Sequence, residues 1–131
     1  MGRVKERLRE ARKALETLER VVGLSSPSEV ERDAAIQRFE YTFELTWKAT
    51  QAYLFEHEFI EVASPRKAIR ASLESGLFDE AAAQKLMAAA QDRNLTVHTY
   101  NEALAIQVYE RLAGHASLLR AWLDAIQERV T

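Results

Sequence analysis

A chain of 131 residues and 14.9 kDa is long enough to bury one core without disulfides or metals, and a single domain over residues 1–131 is the first expectation. There is no cysteine, which excludes disulfide frameworks, thiolate metal sites and cysteine nucleophiles, and favours a reducing compartment, the cytoplasm by default. A net charge of −2 with a pI of about 6.0 gives no global attraction to phosphate backbones; no apolar run approaches the ~20 residues of a membrane span, and the charged start lacks the apolar stretch of a signal peptide.

With four glycines and two prolines among long stretches of good helix formers, little room is left for strands, and the expected class is all-α. Val4, Leu8, Ala11, Leu15, Leu18 and Val22 recur in steps of four and three and form one helical stripe, which Gly23 ends. Ser28 and Glu31 read as a capping box opening a long helix from about Glu29 to Glu56, with Ile36, Phe39, Phe43, Trp47 and Leu54 facing inward. A second stripe, Tyr41, Leu45, Ala49 and Ala52, widens its apolar surface and implies contact on two sides, either with more of its own fold or with another chain. In "ASPRKAIRASLESGLFDE", Ser64 caps a short helix with Pro65 at its first position, Gly76 closes it, and Asp79 caps the next, which runs from Glu80 to about Leu95. After a break near "VHTYN", Asn101 caps a last helix carrying Leu104, Val108, Leu112, Leu119, Trp122 and Ile126, with Gly114 either bending it or tolerated. The pattern predicts an antiparallel up-and-down four-helix bundle with an extra short helix as connector.

Basic residues cluster twice: Arg3, Lys5, Arg7, Arg9, Arg12 and Lys13 at the N-terminus, and Arg66, Lys67 and Arg70 in "SPRKAIR". The expectation is solvated helix faces balanced through neighbouring turns by Glu6, Glu10 and Glu16. The aromatics of "RFEYTFELTWKATQAY" stand at helical spacing and are read as core. His57 and His115 lie far from each other and from other ligands, so no metal site is expected, and neither a phosphate-gripping glycine loop nor a nucleophile elbow is present.

The stretch that can carry chemistry is "AAAQDRNLTVHTYNE", residues 88–102. Arg93 falls within about 20° of Leu86 on the helix projection and close to Ala90, on the stripe that faces the core or a partner. A guanidinium placed there needs either a carboxylate, Glu40 or Glu44 of the long helix, or a groove that admits a phosphate. On an unbroken helix His98 would sit about 140° from Arg93, whereas a helix ending near Val97 lets the imidazole return toward it. Tyr100 and Asn101 lie at the mouth of the same corner, beside a helix N-terminus that suits an anion. The spacing alone is compatible with a salt bridge and a capping histidine as much as with a site.

"RDAAIQRFEYTFELTWKA", "SPRKAIRASLESGL" and "DRNLTVHTYNE", in that order, resemble the nucleotidyltransferase substrate-binding protein family, a branch of the HEPN superfamily, over nearly the whole chain. Arg93, Asn94, His98 and Tyr100 match the arginine, polar residue, histidine and tyrosine of the HEPN motif. The resemblance implies a four- or five-helix bundle, a homodimer with two motifs facing each other, and a small nucleotidyltransferase partner in a toxin–antitoxin pair. It further implies a metal-independent ribonuclease without cofactor, acting on RNA such as tRNA, silenced when the partner transfers AMP to Tyr100. On that basis Arg93 and His98 are the expected catalytic residues, Asn94 positions substrate and Tyr100 is modified. The alternative keeps the fold but makes the chain a non-catalytic adaptor that binds a nucleotide or other substrate for the transferase.

Overall fold

The computed structural model describes residues 2–131 and contains five α-helices: α1 (Gly2–Glu19), α2 (Glu29–Tyr53), α3 (Pro65–Glu74), α4 (Glu80–Leu95) and α5 (Glu102–Val130). A π-helical turn, Leu54–Glu58, continues α2, and a 3₁₀ turn, Thr96–His98, continues α4. Cross-helix contacts fix the directions. Arg12 on α1 meets Asp124 on α5, while Glu19, at the other end of α1, meets Arg120. Arg38 of α2 donates to the Thr17 carbonyl near the end of α1, and Ser72 of α3 accepts from the Trp122 indole of α5. α1, α2, α4 and α5 therefore run up and down in turn, and α3 crosses one end as the connector, the expected architecture.

The caps read from the sequence are formed. Ser28 and Glu31 make a reciprocal capping box, Ser64 Oγ accepts from the Lys67 amide, Asp79 Oδ1 from the Ala82 amide and Asn101 Oδ1 from the Leu104 amide. Gly76, at φ +77°, takes the left-handed turn after α3, and the exposed carbonyls of Ser75 and Gly76 are met by Arg129 at 2.9 and 3.0 Å. The α1 stripe, from Val4 to Leu18, packs against Phe39, Phe43 and Trp47 of α2 and Val108, Leu112, Leu119, Trp122 and Ile126 of α5 in one core. Three buried threonines of α2 follow on successive turns; Thr46 and Thr50 donate back to the carbonyls of Thr42 and Thr46, which satisfies those hydroxyls inside the bundle.

Two boundaries differ from expectation. α1 ends at Glu19, four residues before Gly23, because the chain turns at Val21 (amide to the Leu18 carbonyl, 3.0 Å) and Tyr109 pins it there, donating to the Val21 carbonyl and accepting from the Leu24 amide. α2 does not stay α-helical to Glu56: it widens after Tyr53, and the amides of Phe59 and Ile60 both return to the Leu54 carbonyl. Tyr53 holds that wider turn, its ring stacked on His57 at 5.4 Å and its hydroxyl donating to Glu58 at 2.8 Å. Of the two contacts expected for the second stripe of α2, the structure shows the one with the chain's own fold, which consumes most of it. Ala49 and Ala52 are buried, Leu45 is half-buried, and only Tyr41 is open, its hydroxyl 3.2 Å from that of Thr17.

α5 runs unbroken through Gly114, where an added Cβ would meet nothing within 4 Å. Gly114→Ala should therefore stabilise the protein by about 0.5–1 kcal/mol, by restricting the unfolded chain. A rise in the urea midpoint at unchanged slope is the expected result; a fall would show that α5 needs a flexible residue there.

Candidate functional site

The motif residues occupy the end of α4 and the loop that leads into α5. Asp79 starts α4 and sets its phase, so Leu86, Ala89 and Ala90 are buried and Asp92, Arg93 and Thr96 emerge in succession around its last turn. The α-helix stops at Leu95; the 3₁₀ turn carries the chain to His98, whose carbonyl accepts from the Asn101 amide at 3.1 Å, and α5 begins immediately afterwards.

Arg93 finds the carboxylate the sequence asks for, Glu40 rather than Glu44, but loosely: Nη1 stands 3.7 Å from Glu40 Oε2. Thr96 sits between them. Its hydroxyl lies 2.6 Å from Glu40 Oε2 and 2.7 Å from the Arg93 carbonyl, two acceptors for one proton, and it accepts a long contact from Arg93 Nη1 at 3.5 Å. Arg93 Nε is buried without a hydrogen-bond partner among the described residues, while the side chain as a whole keeps 31% of its surface open. A guanidinium with an unused donor and a slack ion pair can exchange Glu40 for an incoming oxyanion at small cost.

His98 and Tyr100 lie outside this contact. Both are exposed, Tyr100 by 86%, and their rings meet edge-on with centroids 6.2 Å apart. Among the described residues no hydrogen bond or ion pair joins His98 to Arg93. Asn94 is exposed one residue beyond Arg93 and makes no side-chain hydrogen bond within that same set. One chain thus places all four residues at one end of the bundle and brings His98 to Tyr100, and Arg93 to Glu40, but does not bring the two pairs together. A shallow cavity of about 290 Å³ beside Glu40, lined also by Asp33, Gln37, Thr96 and Thr99, opens next to them.

Sequence reasoning passed over the group that holds this end in place. Asp92 is buried, accepts two hydrogen bonds from Arg111 at 2.7 and 2.8 Å, and lies 2.8 Å from His115 Nε2. The His115 ring stacks on Phe39 at 5.4 Å, so the cluster ties α4, α5 and α2 together. Burial alone would push the Asp92 carboxyl up, but the hydrogen bonds from Arg111 and His115 outweigh it and hold the group below its ordinary value of 3.8. A signal was present. Asp92 follows Ala89 by three on a buried stripe, and His115 follows Leu112 by three, so both polar groups sat on core faces. Thr96, four residues beyond Asp92 on the same stripe, was equally visible.

The fold is that of solved toxin–antitoxin structures. A chain of a toxin–antitoxin complex with AMP-PNP superposes with a TM-score of 0.76 at 15% identity, over 94% of this chain and 96% of that one. The tri-AMPylated Shewanella oneidensis HEPN toxin in complex with its MNT antitoxin gives 0.77 at 16% identity, over 95% and 96%. A Thermus thermophilus protein of known structure is 51% identical with a TM-score of 0.87, over 89% of this chain and 98% of its own. Residues 6–128 match the family described as nucleotidyltransferase substrate binding protein like, and the chain belongs to that family. None of the curated protein sequences matches it.

Removing the buried charge tests the Asp92 cluster. Asp92→Asn should cost roughly 2 kcal/mol at neutral pH, less than a fully buried pair, because the Arg111 side chain is 46% exposed. Since the folded carboxyl titrates lower than the unfolded one, its stabilisation is complete above 3.8 and is lost as pH falls through the folded value. Denaturation of wild type and variant followed down through that range should show their difference closing; a gap that persists in acid would assign the loss to packing instead.

Proposed function

We propose that this protein is the HEPN-type subunit of a toxin–antitoxin pair with a small nucleotidyltransferase, and that its homodimer is a metal-independent endoribonuclease controlled by AMP on Tyr100. The observation that supports this most directly is the state of Arg93: slackly paired to Glu40 with Nε unused, at the end of the bundle that also carries an exposed imidazole and an exposed phenol. Arg111 and Arg120 close their ion pairs at 2.7 and 2.6 Å, whereas Arg93 shares a slack pair and an unused Nε with Arg32, 3.6 Å from Glu102, so it is the company of His98 and Tyr100 at the same end of the bundle that sets Arg93 apart.

Dimerisation about an axis at this end supplies what one chain lacks. The exposed Tyr41, Val97 and Tyr100 offer apolar contact, and two copies bring two guanidinium groups and two imidazoles around one scissile phosphate. Neutral His98 of one copy takes the proton from a ribose 2′-hydroxyl; the freed oxygen attacks phosphorus; the second His98, protonated, gives its proton to the departing 5′-oxygen. Arg93 holds the charge that builds on the phosphate, and Asn94 orients the strand. A 2′,3′-cyclic phosphate and a 5′-hydroxyl result. Transfer of AMP to the Tyr100 hydroxyl adds bulk and negative charge where the RNA backbone must approach, which silences the site. The acidic chain has few phosphate contacts to offer, so a small or structured RNA such as tRNA is the fitting target.

The separation of His98 from Arg93 within one chain favours a second assignment, the adaptor that presents a nucleotide or substrate to the transferase without cleaving anything. Purified dimer incubated with total tRNA in EDTA distinguishes them. Cleavage leaving cyclic phosphate ends, reduced at least about 100-fold in Arg93→Ala and His98→Ala, is the expected outcome. Three equally inert, folded, unmodified dimers would hand the function to the adaptor. Incubation with the partner transferase and ATP should add AMP to wild type and none to Tyr100→Phe, read by intact-protein mass.

A further inference from the structure

The two basic clusters, some sixty residues apart in sequence, meet at the opposite end of the bundle from the motif. Arg3 and Arg7 of α1 and Lys67 of α3 line one cleft of about 570 Å³, with Phe55 of the π-helical turn as a wall. Counted along α2 from Glu40 to Phe55, the cleft lies roughly 20 Å from Arg93. The neighbouring-turn pairing expected for α1 is not made. Among the described residues neither Arg3 nor Arg7 has a carboxylate within 4.0 Å, nor does Lys67, whereas Arg12 on the same helix reaches across to Asp124 at 2.7 Å. Three unpaired cations drawn from two elements into one recess repel one another, and an anion bound between them relieves that repulsion.

Two further features narrow the ligand. The Phe55 ring is 57% exposed, held there by a turn that costs α2 its regular hydrogen bonds, and offers a flat apolar face. Glu61, from the linker after the turn, lines the same cleft and presents an acceptor, while Glu56 of the turn lines it already engaged. Inorganic phosphate would leave the ring, the Glu61 carboxylate and most of the volume unused. A wholly apolar ligand would leave the excess of positive charge, three cations against Glu56 and Glu61, without an anion. We propose that this cleft binds a nucleoside phosphate. Its phosphate sits among Arg3, Arg7 and Lys67, its base stacks on Phe55, and its amino or hydroxyl groups donate toward Glu61. The same chemistry is carried by a free mononucleotide or by the 5′-phosphorylated end of an RNA strand. The inference rests on neither functional assignment of the Arg93 end.

The test is titration of the isotope-labelled full chain, followed by the amide signals of Ala63, Lys67 and Phe55. AMP, inorganic phosphate, adenosine, and a short RNA with and without a 5′-phosphate are compared. AMP should give saturable shifts at these residues below about 1 mM, tighter than either half alone. Arg7→Glu at a half-buried position, and Lys67→Glu and Phe55→Ala at exposed ones, should each weaken it by about tenfold or more, while Arg93→Ala leaves it unchanged. Tighter binding of the 5′-phosphorylated RNA than of AMP, lost without the phosphate, would assign the ligand to a strand end; the reverse order would assign it to a free nucleotide. Phosphate binding as tightly as AMP, shifts confined to residues 93–101 and abolished by Arg93→Ala, or no saturable shift with any ligand would each overturn the proposal.

Discussion

A single buried carboxylate organises the chemically interesting end of this bundle. Asp92 is the residue where α4 is locked in rotation and height: a fork from Arg111 fixes it to α5, and His115, stacked on Phe39, fixes it to α2. Arg93, the next residue, inherits its direction from that lock. It reaches Glu40 because the helix cannot turn to do otherwise, and it stays slack because Asp92, not Arg93, carries the interhelical attachment. On the proposed function, structural and chemical duties are divided between adjacent residues, which is what allows one of them to remain under-satisfied.

Much of the bundle was legible because its local signals agree with its tertiary ones. Each helix start carries a side-chain cap of the preferred type from α2 onward, and the α1 stripe is apolar from Val4 to Leu18 without interruption. The boundaries that were missed depend on residues distant in sequence. Tyr109, 88 residues from Val21, ends α1 early, and no window around Gly23 contains it. The widening of α2 follows from Tyr53 reaching forward to His57 and Glu58, a pairing that an ordinary helical periodicity does not anticipate.

The site divides in the same way. Arg93 announced itself as a cation on an apolar stripe, and the prediction of a carboxylate partner on α2 needed only the assumption that the two helices pack. Asp92 and His115 meet the same criterion, a polar group on a core face, but the partner that satisfies each lies on another helix, 23 residues away in sequence. That His98 would meet Tyr100 and not Arg93 depends on the 3₁₀ turn after Leu95, and the tightness of a helix end is set by tertiary contacts more than by composition. The convergence of the two basic clusters beside Phe55 is a matter of topology alone: α1 begins where α2 ends, and α3 crosses there.

Asn94, His98 and Tyr100 are exposed and contribute nothing to the core. The scaffold is indifferent to them. Substitution there leaves caps, stripes and the Asp92 lock intact, so a screen for heat resistance would accept almost any residue at the three positions. On the proposed function, durability and reactivity can drift apart in this protein without either being visible in the other, and a relative with the same bundle and an emptied loop would be just as stable and chemically silent.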